Sequence, residues 1–205
     1  GQVLPDGYTL FFNTLFLIAA IAATILSLSY RDALQERGEY YILLILSVIG
    51  MSLMAAAHDL LVFFVGLETM SISIYVLVGS DRRNVRSNEA AIKYLLLGAF
   101  ASAVLLYGMA LLYGMTGSIG YKDMALAVGN ILLTGDPTSK LVLMIGISLL
   151  LVGLFFKVAA VPFHMWTPDV YEGAPTPITG FMATGVKAAA FAALVRIFIT
   201  AFAPI

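Results

Sequence analysis

Between residues 40 and 79 the chain is apolar almost without relief, interrupted only at His58-Asp59 and at Glu68. As one straight helix that stretch would be roughly 60 Å long, twice the hydrocarbon thickness of a bilayer. It must therefore fold back near Ala57-His58-Asp59 as a tight helical hairpin, with spans over 40–57 and 60–79. Further apolar runs over 8–29, 89–113, 140–161 and 177–202 are each about one bilayer long, with polar breaks between them. The pattern predicts an all-α, polytopic transmembrane helix bundle of about six spans, one membrane domain over 1–205.

Composition supports that class and excludes others. Of 205 residues, 61% are hydrophobic and 11% charged, with a mean hydropathy of +0.98. A soluble domain sits near half apolar and a quarter charged. A soluble enzyme and a disordered or collagen-like chain are thereby ruled out. The net charge of −1 offers no field for nucleic acid. With no cysteine there is no disulfide scaffold, thiol catalysis or iron–sulfur ligation, and His58 and His164 show no metal-ligand spacing. No Gly-rich phosphate loop, nucleophile–base pair or haem histidine pair is present, so no redox chemistry is expected in this chain itself. It opens on Gly-Gln-Val-Leu-Pro and stops at Ala203-Pro204-Ile205 at the end of an apolar run. It is expected to be a fragment of a longer subunit.

Two segments interrupt the simple pattern. The stretch 114–139 reads as a loop, with 121–132 lying in the interface. The fifth span meets Pro162, which cannot donate a helical hydrogen bond and would free the carbonyl of Val158. Irregular backbone at membrane depth is tolerated only inside protein or beside a water-filled cavity. Loops 30–39 and 80–88 carry Arg31, Arg37, Arg82, Arg83 and Arg86, whereas the start of the chain and the His58-Asp59 turn carry no Lys or Arg. The arginine loops are expected on the cytoplasmic side and the start of the chain outside.

Three ionisable residues lie well inside apolar runs: Glu68, Lys157 and Lys187. Each costs several kcal/mol at the bilayer centre on insertion scales, so such residues pair and commonly mark an ion path. The blander reading is a structural ion pair that fixes helix packing. Ser71 and Tyr75 follow Glu68 at i+3 and i+7, a polar stripe on one helix face. Gly180 and Thr184 are expected to share the face of Lys187. A buried lysine changes its proton affinity readily, which an arginine does not. An opposite charge at 4 Å is worth about 4 kcal/mol at an effective dielectric of 20, or roughly three pKa units. Moving Glu68 toward or away from Lys157 would therefore switch that lysine between holding and releasing a proton.

The segment Trp166-Thr167-Pro168-Asp169-Val170-Tyr171-Glu172-Gly173-Ala174-Pro175-Thr176-Pro177 is too elaborate for a plain connector. Together with Leu67-Glu68, Asn88-Glu89-Ala90-Ala91-Ile92-Lys93-Tyr94 and Lys157, it resembles the antiporter-like membrane subunits of respiratory complex I, the proton-pumping NADH:quinone oxidoreductase. The wording is most similar to the subunit N branch (subunit 2 or B elsewhere), over essentially the whole chain. The resemblance implies the third to eighth helices of a larger antiporter-like fold. In that family a glutamate of the fifth helix pairs with a lysine of a broken seventh helix. A lysine or histidine on the eighth then relays protons toward a later charged helix. Those roles fall on Glu68, Lys157 and Lys187. The implied activity is proton translocation, as a translocase subunit, in a bacterial inner membrane rather than an organelle membrane. The implied partners are other membrane-arm subunits, the lipid bilayer and the quinone pool; NADH, FMN, iron–sulfur clusters and quinone are expected in partner subunits and no cofactor here. Alternatives are a cation/proton antiporter or membrane-hydrogenase subunit of the same superfamily, or a membrane scaffold that does not pump.

The remaining polar residues have quieter readings. His164 is either a further proton relay or an anchor that hydrogen-bonds the loop. Asp169 and Glu172 are expected to cap and orient that loop, Trp166 to sit at the membrane interface, and Lys93 to pair with Glu89 at a helix entry. His58 and Asp59 satisfy the hairpin turn. Arg196 is read as interfacial and structural, its head reaching toward water.

Overall fold

A computed structural model describes residues 3–30 and 37–205. Among the described residues there are nine α-helices: α1 (Gly7–Ser27), α2 (Arg37–Ala56), α3 (Leu60–Val78), α4 (Val85–Thr116), α5 (Tyr121–Thr134), α6 (Pro137–Val158), α7 (Thr167–Gly173), α8 (Thr176–Phe181) and α9 (Lys187–Thr200). Met182–Val186 form a π turn that joins α8 to α9 as one span, Thr176–Thr200. Six helical stretches are long and apolar enough to cross a bilayer. Arg31, one basis of the expected orientation, lies outside the described residues, as does the side chain of Arg37.

The helices start where short polar side chains satisfy the first free N–H groups. Asp6, Asp59, Asn84 and Asp136 cap α1, α3, α4 and α6 in turn. Two of these caps move the expected boundaries. α4 begins at Val85 rather than 89 because Asn84 accepts from the N–H of Arg86, and α6 begins at Pro137 rather than 140 because Asp136 caps it. Their first turns are polar but helical. Within the stretch 114–139, expected as a loop, the structure forms α5, whose buried Tyr121, Met124 and Val128 turn toward the core.

The two most extensive helix pairs are α2 with α3 and α4 with α6. α2 and α3 cross where Gly50 and Gly66 meet: a Cβ at Gly50 would lie 2.4 Å from the Met70 amide nitrogen. α1 rests on the bundle through a narrow stripe of Thr9, Phe16, Ala23 and Ser27, while Leu10, Phe11, Leu17, Ile18 and Ile21 face outward. An outward apolar surface of this kind suits lipid tails.

The bundle has two distinct ends. Bridges Val3–Ala57 and Asp59–Gly120 tie the start of the chain, the α2–α3 turn and the α4–α5 connection together at one end. The other end gathers the α3–α4 turn, with Arg82 paired to Glu39 at 3.5 Å, and the segment leading from α6 to α8.

The break in the fifth span comes earlier than Pro162. α6 stops at Val158, and Ala159 takes the left-handed conformation at φ 60°. A residue with a Cβ pays roughly 1–2 kcal/mol for that conformation, so strain is stored two residues from Lys157. Pro162 lies in the loop beyond and interrupts no helix. Instead of a freed Val158 carbonyl, the end of the helix offers two used ones: Phe155 accepts from the Ala160 N–H, and Phe156 accepts from the indole of Trp166 at 3.0 Å.

Candidate functional site

Lys157 is 1% exposed in the last turn of α6. Gly153 on the same helix packs against Leu105 of α4, and Gly146 packs against Leu112. These antiparallel contacts set Lys157 beside the middle of α4. Its Nζ donates to the phenol oxygen of Tyr75 at 3.0 Å. Around it lie the ring centres of Tyr75, Tyr94 and Phe156, at 5.1, 5.8 and 5.8 Å. Aromatic faces carry negative charge density and attract a desolvated cation. The surroundings suit an ammonium without holding a second full charge against it.

Glu68 stands on the same α3 face as Tyr75, two turns away. It is half-buried, and its Oε1 accepts from Ser102 Oγ of α4 at 2.6 Å. Among the described residues no ion pair within 4.0 Å joins Glu68 to Lys157. The pairing implied by family resemblance is thus open in this conformation, and each group rests on a hydroxyl. Gly98 faces the Tyr75 phenol and Ser102 holds Glu68, and these positions are one turn, about 6 Å, apart along α4. Ser71, the third member of the stripe, is buried and spends its hydroxyl on the Leu67 carbonyl.

Lys187 is half-buried at the start of α9, with its Nζ 5.5 Å from the ring centre of Tyr171. The expected stripe with Gly180 and Thr184 is not formed, because the intervening π turn alters the register and leaves both of those residues exposed. His164 lies exposed in the loop between α6 and α7, where its carbonyl accepts from the Thr167 N–H. Its imidazole is not part of the buried cluster.

Trp166 is the largest departure from the expectation of an interface residue. It is 2% exposed, stacked on Tyr94 at 4.5 Å and 14°, because its indole N–H is anchored on the end of α6. Tyr94 in turn meets Tyr75 edge-on at 4.8 Å, and Trp166 meets Tyr171 edge-on at 5.9 Å. A continuous file of rings, Tyr75–Tyr94–Trp166–Tyr171, therefore runs from Lys157 to Lys187. Sequence reasoning missed Tyr94 and Tyr171. Their signal was position, since both stand in the two segments that carry the family resemblance.

Above the rings, Arg86, Glu89, Lys93, Asp169 and Glu172 line a polar cavity of about 290 Å3 at the arginine-bearing end. Lys93 bridges Glu89 and Asp169, each at 2.8 Å, and Arg86 reaches Glu172 at 3.2 Å. The loop carboxylates thus orient α7 on α4, and the Lys93–Glu89 pair forms as the spacing implied. Asp59 caps α3 as expected, and His58 lends its carbonyl to the Tyr121 N–H. Arg196 differs: it is 7% exposed and clasped by Asp6, so it does not reach for water.

Comparison with known proteins places the geometry in a family. A family model described as NADH:quinone oxidoreductase/Mrp antiporter, TM, matches residues 57–205. A curated protein of Trichlorobacter lovleyi, NADH-quinone oxidoreductase subunit N, is 50% identical over 202 residues, covering 98% of this chain and 41% of that protein. The chain thus spans about two-fifths of the length of the curated relatives it matches. Respiratory complex I from Thermus thermophilus superposes with a TM-score of 0.80 at 42% identity, over 96% of this chain and 41% of that one. The Mrp complex from Dietzia sp. does so with a TM-score of 0.73 at 27% identity, over 94% of this chain and 35% of that one. With the helical fold and the sequence in agreement, the chain belongs to the NADH:quinone oxidoreductase/Mrp antiporter membrane family.

Proposed function

We propose that this chain carries protons across the membrane through Glu68, Lys157 and Lys187, driven by NADH-to-quinone electron transfer in partner subunits. One observation supports the reading most. A lysine sealed inside the bundle rests on a neutral hydroxyl, and a carboxylate on the same α3 face as that hydroxyl rests on another. At an effective dielectric of 20, attraction between unit charges falls from about 4 kcal/mol at 4 Å to about 2 kcal/mol at 8 Å. A movement of one helical turn would then change the protonation equilibrium of Lys157 more than tenfold. Lys187, at the far end of the ring file, is the next acceptor in this reading. His164, exposed in the loop between α6 and α7, serves at the mouth of the path.

The redox groups, NADH, FMN, iron–sulfur clusters and quinone, belong to the partners in this reading, and the chain supplies no cofactor ligand. The arginine-bearing end faces the cytoplasm of a bacterium, and protons leave at the opposite end. Identity of 42% to the complex I chain against 27% to the Mrp chain favours the quinone-linked complex over an antiporter.

The test is Lys157→Met in the full-length subunit, in inverted membrane vesicles carrying the whole complex. Quinone-linked proton uptake should fall at least tenfold while the complex remains assembled. Undiminished uptake overturns the relay. Loss of assembly in its place favours a scaffold.

A further inference from the structure

We propose that Tyr75 is a positioning residue that holds Lys157 in both of its protonation states, with Gly98 keeping the space its hydroxyl needs. The inference rests on the proton-relay reading and adds a residue to it. Among the described residues, the Tyr75 phenol is the hydrogen-bond partner the buried Lys157 amine has, at 3.0 Å. An ammonium donates only, and a carboxylate accepts only. A carboxylate partner therefore grips the ammonium but has no proton to donate to the lone pair of the neutral amine. A phenol does both: its oxygen accepts from the ammonium, and after proton loss its O–H turns to donate to the amine lone pair. Lys157 can then give up its proton without leaving its place or stranding a polar group in hydrocarbon, which would be costly.

The phenol is held for this purpose from two sides. Tyr94 presses edge-on against its ring at 4.8 Å. The second is Gly98, one turn along α4 from Tyr94, where a Cβ would stand 2.0 Å from the Tyr75 oxygen and 2.6 Å from the ring carbon bearing it. Only a glycine on α4 leaves room for the hydroxyl. Tyr75 also shares an α3 face with Glu68, two turns away, so a sliding of α3 along its axis against α6 would carry the charged group toward the place of the neutral one. The titratable groups in contact with Lys157 are Tyr75 on α3 and Tyr94 on α4; Glu68 shares the α3 face of Tyr75, and Tyr171 on α7 and Lys187 on α9 lie further along the ring file. Of these, Tyr75 is the one hydrogen-bonded to the amine.

The experiment compares Tyr75→Phe with Lys157→Met in the full-length subunit within the intact complex. Proton uptake by inverted vesicles is followed from acid to alkaline pH. Phenylalanine keeps the ring and removes the hydroxyl. Hydrogen bonds to charged groups are roughly twice as strong as neutral ones, so the ammonium loses more than the amine. Uptake should fall about three- to tenfold, and its alkaline limb should move to lower pH by about one unit. A purely structural role would lower the amplitude and leave the limb in place. An unmoved limb, with Lys157→Met abolishing uptake, overturns the role of Tyr75 and spares the relay. Normal uptake in Lys157→Met overturns both. Where Tyr75→Phe does not assemble, Gly98→Ala takes its place, since the new methyl displaces the phenol. It should shift the limb in the same direction, and an unmoved limb there overturns the proposal.

Discussion

At Ser102 a single hydroxyl decides where Glu68 rests. The carboxylate accepts from Ser102 at 2.6 Å and makes no ion pair with the lysine it would otherwise attract. Glu68→Gln keeps an acceptor for Ser102 and the side-chain volume, and deletes only the charge. Proton uptake by vesicles should fall more than about tenfold, the scale of a lost charge near an ionisable partner, with the assembled complex at its normal level on native gels. Ser102→Ala should act more mildly. Glu68, Lys157 and Lys187 were legible in the sequence because a charge within an apolar run is conspicuous on its own. The hydroxyls and rings around them were not. Serine, tyrosine and tryptophan are ordinary in membrane helices, and only the tertiary approach of α3, α4 and α6 gives Ser102, Tyr75, Tyr94 and Trp166 their task.

Among the elements, the hairpin of α2 and α3 was readable from length alone, since residues 40–79 are too long for one span. How closely its arms approach was not, because that depends on which glycines meet. Gly50 and Gly66 face each other so tightly that added Cβ atoms would strike backbone: 2.4 Å from the Met70 nitrogen for one, 2.8 Å from the Gly50 oxygen for the other. Backbone cannot swing aside as a side chain does. Gly50→Val should therefore separate the helices and destabilise the subunit by at least the 1–3 kcal/mol typical of overpacked cores. Gly114→Ala, on the same kind of helix with nothing within 4 Å, should be neutral or slightly stabilising. Thermal unfolding of the two purified variants in one detergent separates them; equal midpoints would refute the close crossing. The other elements that escaped the sequence reading share a cause. The polar first turn of α4, the π turn before Lys187 and the stop at Ala159 are set by caps and by contacts distant in the chain, to which hydropathy is blind.

Across the whole molecule, a cluster of contacts around Arg196 joins the first helix to the last. Arg196 of α9 grips Asp6 with two parallel hydrogen bonds, at 3.0 and 2.8 Å, donates to Thr9 at 3.0 Å, and lies 4.7 Å from the ring centre of Tyr8, whose hydroxyl reaches the Ala192 carbonyl at 2.7 Å. The hydrogen bonds from Arg196 hold the Asp6 carboxyl well below the usual carboxylate range. A carboxylate whose affinity for protons is lower folded than unfolded stabilises the fold above its unfolded value, near pH 3.8, and loses that contribution as pH falls toward the folded value. Because the Asp6 side chain is 45% exposed, solvent discounts the contribution to about 1–2 kcal/mol. Asp6→Asn should thus be less stable than the parent by a constant margin from about pH 5 upward, and the margin should close below about pH 4. Thermal midpoints of the two purified proteins across that range measure it. Because asparagine also caps α1, a margin that persists unchanged into strong acid would overturn the ion pair as its source. A margin absent at neutral pH would mean that α1 is seated by its apolar stripe alone.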